Sequence, residues 1–292
     1  MDWILLVPLA NGLVYTIGTL FLKRATNAGV GPWRTTFVSN LLHGLLALPL
    51  WFIGPPLSSP LQLLIPLLIS LSFFGGQLLT CVAIHRGAVS VVTPVMGVKP
   101  VFVAFIAIYA LGTSLSAYVW AAAGLSAIAV FLLKGKSEAE RQRILASIFW
   151  GGSASLLYAV YDVMLQKYGG DLGFENMMSA VFAFNALWSF ALIPLFRSPV
   201  SLVPKKIWYS LAAGGTLVGL QAISMGWVLT KFGRVTEVNI IYSSRGIWSV
   251  LIVWILGHWF ANREREAGRG EMTRRLLGAL IMIAAIFLTM IA

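Results

Sequence analysis

Cysteine is nearly missing from this chain. The single Cys81 lies inside an apolar run and allows neither an intrachain disulfide nor a thiolate metal cluster. Charge is also scarce, at 11% of 292 residues, well below the usual share of about 25% in a soluble domain. The histidines, His43, His85 and His258, are scattered without ligand spacing, which argues against a metal site. Nothing matches G-x-x-x-x-G-K-[ST], so no ATP-binding loop supplies energy. No nucleophile is spaced to meet a base, and the acids do not cluster with a histidine, so neither an enzyme nor a cofactor is expected. The start carries Asp2 in place of a basic region and its apolar stretch runs past Leu20, so no cleavable signal peptide is expected. A net charge of +11 would suit nucleic acid. The cations lie in short loops, however, with no basic domain to dock a duplex, and no nucleic-acid partner is expected.

What is present is apolar length, with 59% of residues hydrophobic. Stretches of about 20 apolar residues recur along the whole chain, each long enough to cross a hydrocarbon core of about 30 Å as a helix. Ten such segments are expected, near 3–22, 34–53, 61–84, 88–111, 115–133, 147–166, 177–196, 207–230, 235–257 and 275–291. Gly54-Pro55-Pro56 and Ser198-Pro199 mark turns. The expected class is an all-α polytopic membrane protein whose partners are the lipid bilayer and a small-molecule substrate. A homodimer stays open.

The halves resemble each other. Segments 1 and 6 match through Leu13, Tyr15, Leu22 and Leu156, Tyr158, Leu165, offset by 143 residues. Segments 2 and 7 match through Phe37, Asn40, Pro49, Leu50 and Phe182, Asn185, Pro194, Leu195, offset by 145. Segments 4 and 9 match without a gap at an offset of 146, which puts Arg245 on Lys99. The expected organisation is a first repeat over 1–134, a polar linker over 135–146 and a second repeat over 147–292. Five helices per repeat is an odd number, so the second copy enters the membrane from the opposite side, as in many secondary transporters.

Basic residues orient the chain. Sixteen of the 21 Lys and Arg fall in the odd-numbered loops and three in the even-numbered ones. The positive-inside rule then places the odd loops in the cytoplasm and both termini outside.

Four ionisable residues lie within segments: Lys99, Asp162, Glu237 and Arg245. Intramembrane charges face a cavity or a partner. One reading pairs Lys99 and Arg245 with Asp162 and Glu237, leaving a neutral set and a neutral or zwitterionic substrate. The other turns the two cations toward a central cavity, where they attract an anionic group while Glu237 or Asp162 holds an ion pair or takes a proton. Tyr242 and Asn239 on segment 9, Thr93 on segment 4, Tyr158 on segment 6, and Asn11 with Tyr15 on segment 1 complete the candidate substrate-binding set. Pro94 and Pro100 leave carbonyls near Met96 free for substrate or water, or simply kink the helix. A non-transporting scaffold or sensor is the remaining class, and the chain has no extramembrane domain with which to signal.

This pattern resembles the drug/metabolite transporter superfamily and its EamA branch. The resemblance rests on the Gln77–Thr113 block, with Ala83-Ile84, Gly87, Ser90, Thr93-Pro94 and Pro100, and on its counterpart from Gly219 to His258. Where EamA halves commonly read Leu-Gly-Glu, this chain has Leu111-Gly112-Thr113 and Leu256-Gly257-His258. The resemblance implies a plasma (inner) membrane transporter that works by alternating access around a central cavity. The family's phosphate-translocating branch holds its substrate with basic residues of helices 4 and 9, which favours an anionic substrate here.

Overall fold

Once water is excluded, a backbone must satisfy its own hydrogen bonds, and uninterrupted apolar runs therefore fold as helices. A computed structural model describes residues 3–86, 95–132, 141–256, 277–278 and 280–288. Its helices are α1 (Leu6–Ala25), α2 (Pro32–Trp51), α3 (Leu64–Arg86), α4 (Lys99–Leu111), α5 (Ala117–Leu132), α6 (Arg141–Leu172), α7 (Phe174–Ser189), α8 (Lys205–Phe232), α9 (Val235–Tyr242) and α10 (Arg245–Leu256). A further helical stretch covers 280–288, and no strand occurs among the described residues. Among the described residues, five stretches are long and apolar enough to cross a membrane: Trp3–Val30, Pro60–Ala83, Ile148–Leu172, Phe174–Leu195 and Lys205–Phe232. Lys99–Leu111 and Ala117–Ala129 are shorter apolar helices. The molecule is thus an all-helical integral membrane protein.

Three expectations are corrected. Segment 9 is two helices, α9 and α10, separated by a turn at Ser243 and Ser244. Ser243 weakens the ladder by bonding locally: its Oγ donates to the Asn239 carbonyl at 2.9 Å. Segment 4 breaks at the matching place. Residues 95–96 are helical, 97–98 form a turn and α4 begins at Lys99, with Pro100 in its first turn lacking an N–H to donate. Lys99 and Arg245 are therefore the first residues of their helices, 146 positions apart. Segment 6 is also longer than expected. α6 starts at Arg141, inside the stretch read as a linker, and ends at Leu172.

Connections are tight where glycine allows it. Gly31 (φ 79°, ψ 161°) and Gly173 (φ 76°, ψ 149°) directly precede α2 and α7 in nearly the same backbone conformation, one that side-chain-bearing residues rarely adopt. Arg34 is buried at the first of these corners. Its guanidinium donates to the Gly29 and Val30 carbonyls at 2.6 Å each, satisfying acceptors left over beyond the end of α1.

The packing partners are α1 with α8, α3 with α6, α2 with α7, α2 with α8, α3 with α7, α1 with α10 and α4 with α6. Most of these contacts join the first half of the chain to the second. Small residues set the closest crossings. A methyl group on Gly214 would lie 2.8 Å from the Gly18 carbonyl, and one on Gly76 would lie 2.9 Å from the Tyr158 ring. The main buried cluster runs through the middle of this arrangement, around Phe182, Leu165, Met177, Met178, Val228 and Ile241.

Candidate functional site

Breaks in two helices and glycine-tight crossings leave a cavity of about 180 Å³ between the halves. Lys99 and Arg245 both line it, as do Asp162, Tyr15, Tyr158 and Tyr242. Six residues singled out from sequence thus meet in one place. Asn11 and Asn239 do not line it. Asn11 Nδ2 donates to Ser224 Oγ at 3.3 Å, and Asn239 Nδ2 donates to the Val235 carbonyl of its own helix at 2.9 Å. Thr93 lies outside the described residues.

The two cations differ in their surroundings. Lys99 Nζ sits 2.6 Å from Asp162 Oδ2 and 6.0 Å from the centre of the Tyr158 ring. Asp162 is ten residues inside the end of α6 and 3% exposed, so it is not the interfacial residue the shorter segment implied. Arg245 has no carboxylate in ion-pair range among the described residues. Its guanidinium carbon lies 5.2 Å from the Tyr15 ring centre and 4.9 Å from that of Tyr242. The two rings meet edge-to-face, 6.0 Å apart, so both attract the cation from the same side of the cavity. Each cation therefore packs on a tyrosine of the opposite half, and those tyrosines are themselves 143 positions apart.

Glu237 departs from the expected neutral set. Its Oε1 lies 3.3 Å from Nε of Arg234, three residues before it, and it does not line the cavity. The Met96 carbonyl is not free for substrate either, because it accepts from Ser155 Oγ at 3.0 Å. Gln77 and Asn40 exchange two amide hydrogen bonds at 2.9 Å each, while the amide of the matching Asn185 has no hydrogen-bond partner among the described residues.

Several lining residues were not marked as site candidates in the sequence, among them Thr80, Tyr161, Met225 and His43. Tyr161 carried the only available signal, one position before Asp162. His43 gave none, since spacing that excludes a metal says nothing about a cavity wall.

One end of the cavity is closed. There α6 packs on α8, with Gly169 against Thr230. Gln166 Oε1 accepts from the Val235 N–H at 2.8 Å, and Lys231 faces Glu175 at 3.6 Å. Trp3 stacks over Trp227 and Phe232, with ring centres 6.4 and 6.0 Å away. Wall residues toward that end, Asp162, Leu165, Met225 and Leu229, are buried, whereas Tyr15, Thr80, Tyr158 and Val218 are only half-buried.

The profile of the EamA-like transporter family matches residues 2–134. The resemblance read from the sequence therefore holds over the first half of the chain, and the family points to a membrane transporter of small molecules. The chain also superposes on a crystal structure of another protein with a TM-score of 0.77, at 15% identity, over 98% of this chain and 96% of the other. At that identity the likeness bears on the fold. No curated protein matches the chain.

Proposed function

We propose that this protein is a secondary active transporter in the plasma membrane. It moves a small, polar, anionic metabolite by alternating access between two inverted five-helix repeats. The observation that carries the reading is Arg245: a guanidinium in a cavity between the halves, with aromatic faces and no carboxylate beside it among the described residues. A charge inside a membrane protein is costly unless a partner compensates it. A substrate anion would be that partner, and the planar fork of arginine suits it.

The repeat reading has three supports: helix breaks 146 residues apart, cation–tyrosine pairs exchanged between halves, and a packing scheme that maps onto itself when the halves are swapped. Thus α1 on α8 corresponds to α6 on α3, and α1 on α10 corresponds to α6 on α4. One pair lacks its counterpart. α6 packs on α8 at the closed end, while α1 and α3 touch at most marginally among the described residues. Such asymmetry is what a rocking transporter has in one of its two states. With the loop charges orienting the chain, the cavity of this state opens toward the cytoplasm. Transport then draws on an ion gradient or exchange, since no nucleotide-binding motif is present.

The test is uptake into proteoliposomes. Arg245→Gln abolishes accumulation of an anionic substrate while the protein still folds and incorporates. Unchanged anion flux in that variant sinks the reading. The second reading, a neutral or zwitterionic substrate, is favoured by one observation, the Lys99–Asp162 pair that already neutralises one cation. Under it, Arg245→Gln leaves flux of such a substrate intact.

A further inference from the structure

Matching positions in the two halves hold cations in unlike states, and the sequence contains the reason. In the register that places Tyr158 on Tyr15, Asp162 falls on Thr19. Asp162 supplies Lys99 with a carboxylate at 2.6 Å. Thr19 supplies Arg245 with none, and its own hydroxyl donates to the Thr16 carbonyl at 2.9 Å. With His43 counted neutral, the charged groups lining the cavity leave one surplus positive charge, and it belongs to Arg245.

The uncharged polar groups of the wall are largely engaged inside the protein. Gln77 is closed into its amide pair with Asn40, and Thr80 Oγ1 donates to the Gly76 carbonyl at 2.8 Å. Ser155 Oγ donates to Met96 O, and Gln221 Oε1 accepts from the Tyr242 hydroxyl at 3.3 Å. The buried Tyr161 hydroxyl has no hydrogen-bond partner among the described residues and can take one neutral polar group. Phe73, Leu165, Val218, Met225 and Leu229 make much of the remaining wall apolar.

We propose that the cavity selects a monoanion: a planar carboxylate on a compact apolar or aromatic body. Arg245 is the residue that reads the charge. Lys99 is already neutralised by Asp162, so the cavity offers no free cation to a second negative charge. The proposal rests on the anion-transporter reading above and narrows its substrate class. A phosphate monoester carries about −1.5 to −2 charges near neutral pH. Its second charge would be buried against a lysine that is already neutralised, and a buried charge without compensation is strongly disfavoured. A carboxylate meets a guanidinium edge in two parallel hydrogen bonds and asks for no further cation.

The test is a charge series on one ring: benzyl alcohol, benzoate and phthalate, titrated calorimetrically into the purified full-length protein in detergent. Wild type is expected to bind benzoate at least about tenfold more tightly than either companion. Arg245→Gln loses benzoate binding. Asp162→Asn, which frees Lys99, reverses the order so that phthalate binds more tightly than benzoate. The doubly neutral Lys99→Gln/Asp162→Asn variant keeps the benzoate preference and serves where the single variant does not fold. Phthalate binding as tightly as benzoate in wild type overturns the monoanion proposal and leaves the transporter reading standing. So does a folded Asp162→Asn protein with the wild-type ratio. If no member of the series binds, and Arg245→Gln leaves uptake of a neutral or zwitterionic substrate intact, the anion reading itself fails and this proposal fails with it.

Discussion

Gly12 tests whether α1 sets the position of the charge-reading arginine. A methyl group on Gly12 would lie 3.1 Å from the Arg245 backbone nitrogen, 3.2 Å from Ser244 Oγ and 3.2 Å from Trp248 Cδ1. The first of these is backbone and cannot rotate away, so the start of α10 must shift by a few tenths of an ångström. Thr16 Oγ1, which reaches the Arg245 carbonyl at 3.3 Å, would shift with it. Replacing glycine by alanine inside a helix otherwise gains up to about 1 kcal/mol. Gly124, in α5, has no heavy atom of the described residues within 4 Å of such a methyl and shows that gain undiluted. Overpacking costs about 1–3 kcal/mol. Gly12→Ala should therefore come out about 1–3 kcal/mol less stable than Gly124→Ala, although the chemical change is identical. Gly12→Val should cost more still and weaken anion binding about tenfold, because sites of this kind tolerate displacements of only about 0.5 Å. Reversible unfolding in mixed micelles measures the first difference and calorimetric titration the second. Equal stability shifts for the two alanine variants would refute the claim that the α1–α10 contact places Arg245.

Three further outcomes follow from the same geometry. Tyr15→Leu or Tyr242→Leu removes an aromatic face from Arg245 and should weaken anion binding by the equivalent of about 0.5–2 kcal/mol, while Tyr15→Phe keeps the affinity in the same titration. Lys99→Met strands the buried Asp162 carboxylate and should cost about 3–5 kcal/mol of stability, much of it recovered in Lys99→Met/Asp162→Leu, as read by a double-mutant cycle in micelles. Asn40→Leu leaves the Gln77 amide without its two partners and should cost about 1–3 kcal/mol, with Asn40→Leu/Gln77→Leu closer to wild type by the same unfolding assay.

The helical class, the membrane setting and most segment positions could be read from the sequence, because each follows from a local property. Apolar length specifies a spanning helix without reference to any other part of the chain. The break at Ser243 and Ser244 was hidden for the same reason: its surroundings are as apolar as those of any other segment, and Ser243 acts through a hydrogen bond that hydropathy does not record. Asp162 looked interfacial because α6 was read as ending near residue 166, and polar residues up to Leu172 concealed the last turn and a half. The pairing of charges was legible only as a set, with Asp162 and Glu237 as partners for Lys99 and Arg245 and no sign of which meets which. Glu237 sits two turns from Arg245 in sequence and was a natural partner in an unbroken helix, yet Arg234, three residues before it, holds it instead. Asp162, 63 positions from Lys99, is brought to it by the packing of α4 on α6. Partner choice is tertiary information, whereas the repeat offset is not, and that offset assigns Thr19 to the place of Asp162.

Both cations violate local rules in the same way, which helps decide what they are for. Each is the first residue of its helix, where the backbone dipole repels a positive charge by about 0.3–1 kcal/mol. Each also lies within an apolar segment, where a charged residue costs about 2.5–3.5 kcal/mol on insertion scales. If structure alone required them, a partner carboxylate would be expected at both positions, because the two places are built alike. Lys99 has one, and among the described residues Arg245 does not. A helix start that repels a cation favours an anion through the same backbone dipole. At Arg245 the side chain and the helix start therefore favour negative charge together, and the protein provides none among its described residues. Under the proposed reading, an anion entering the cavity meets the positive potential at Arg245.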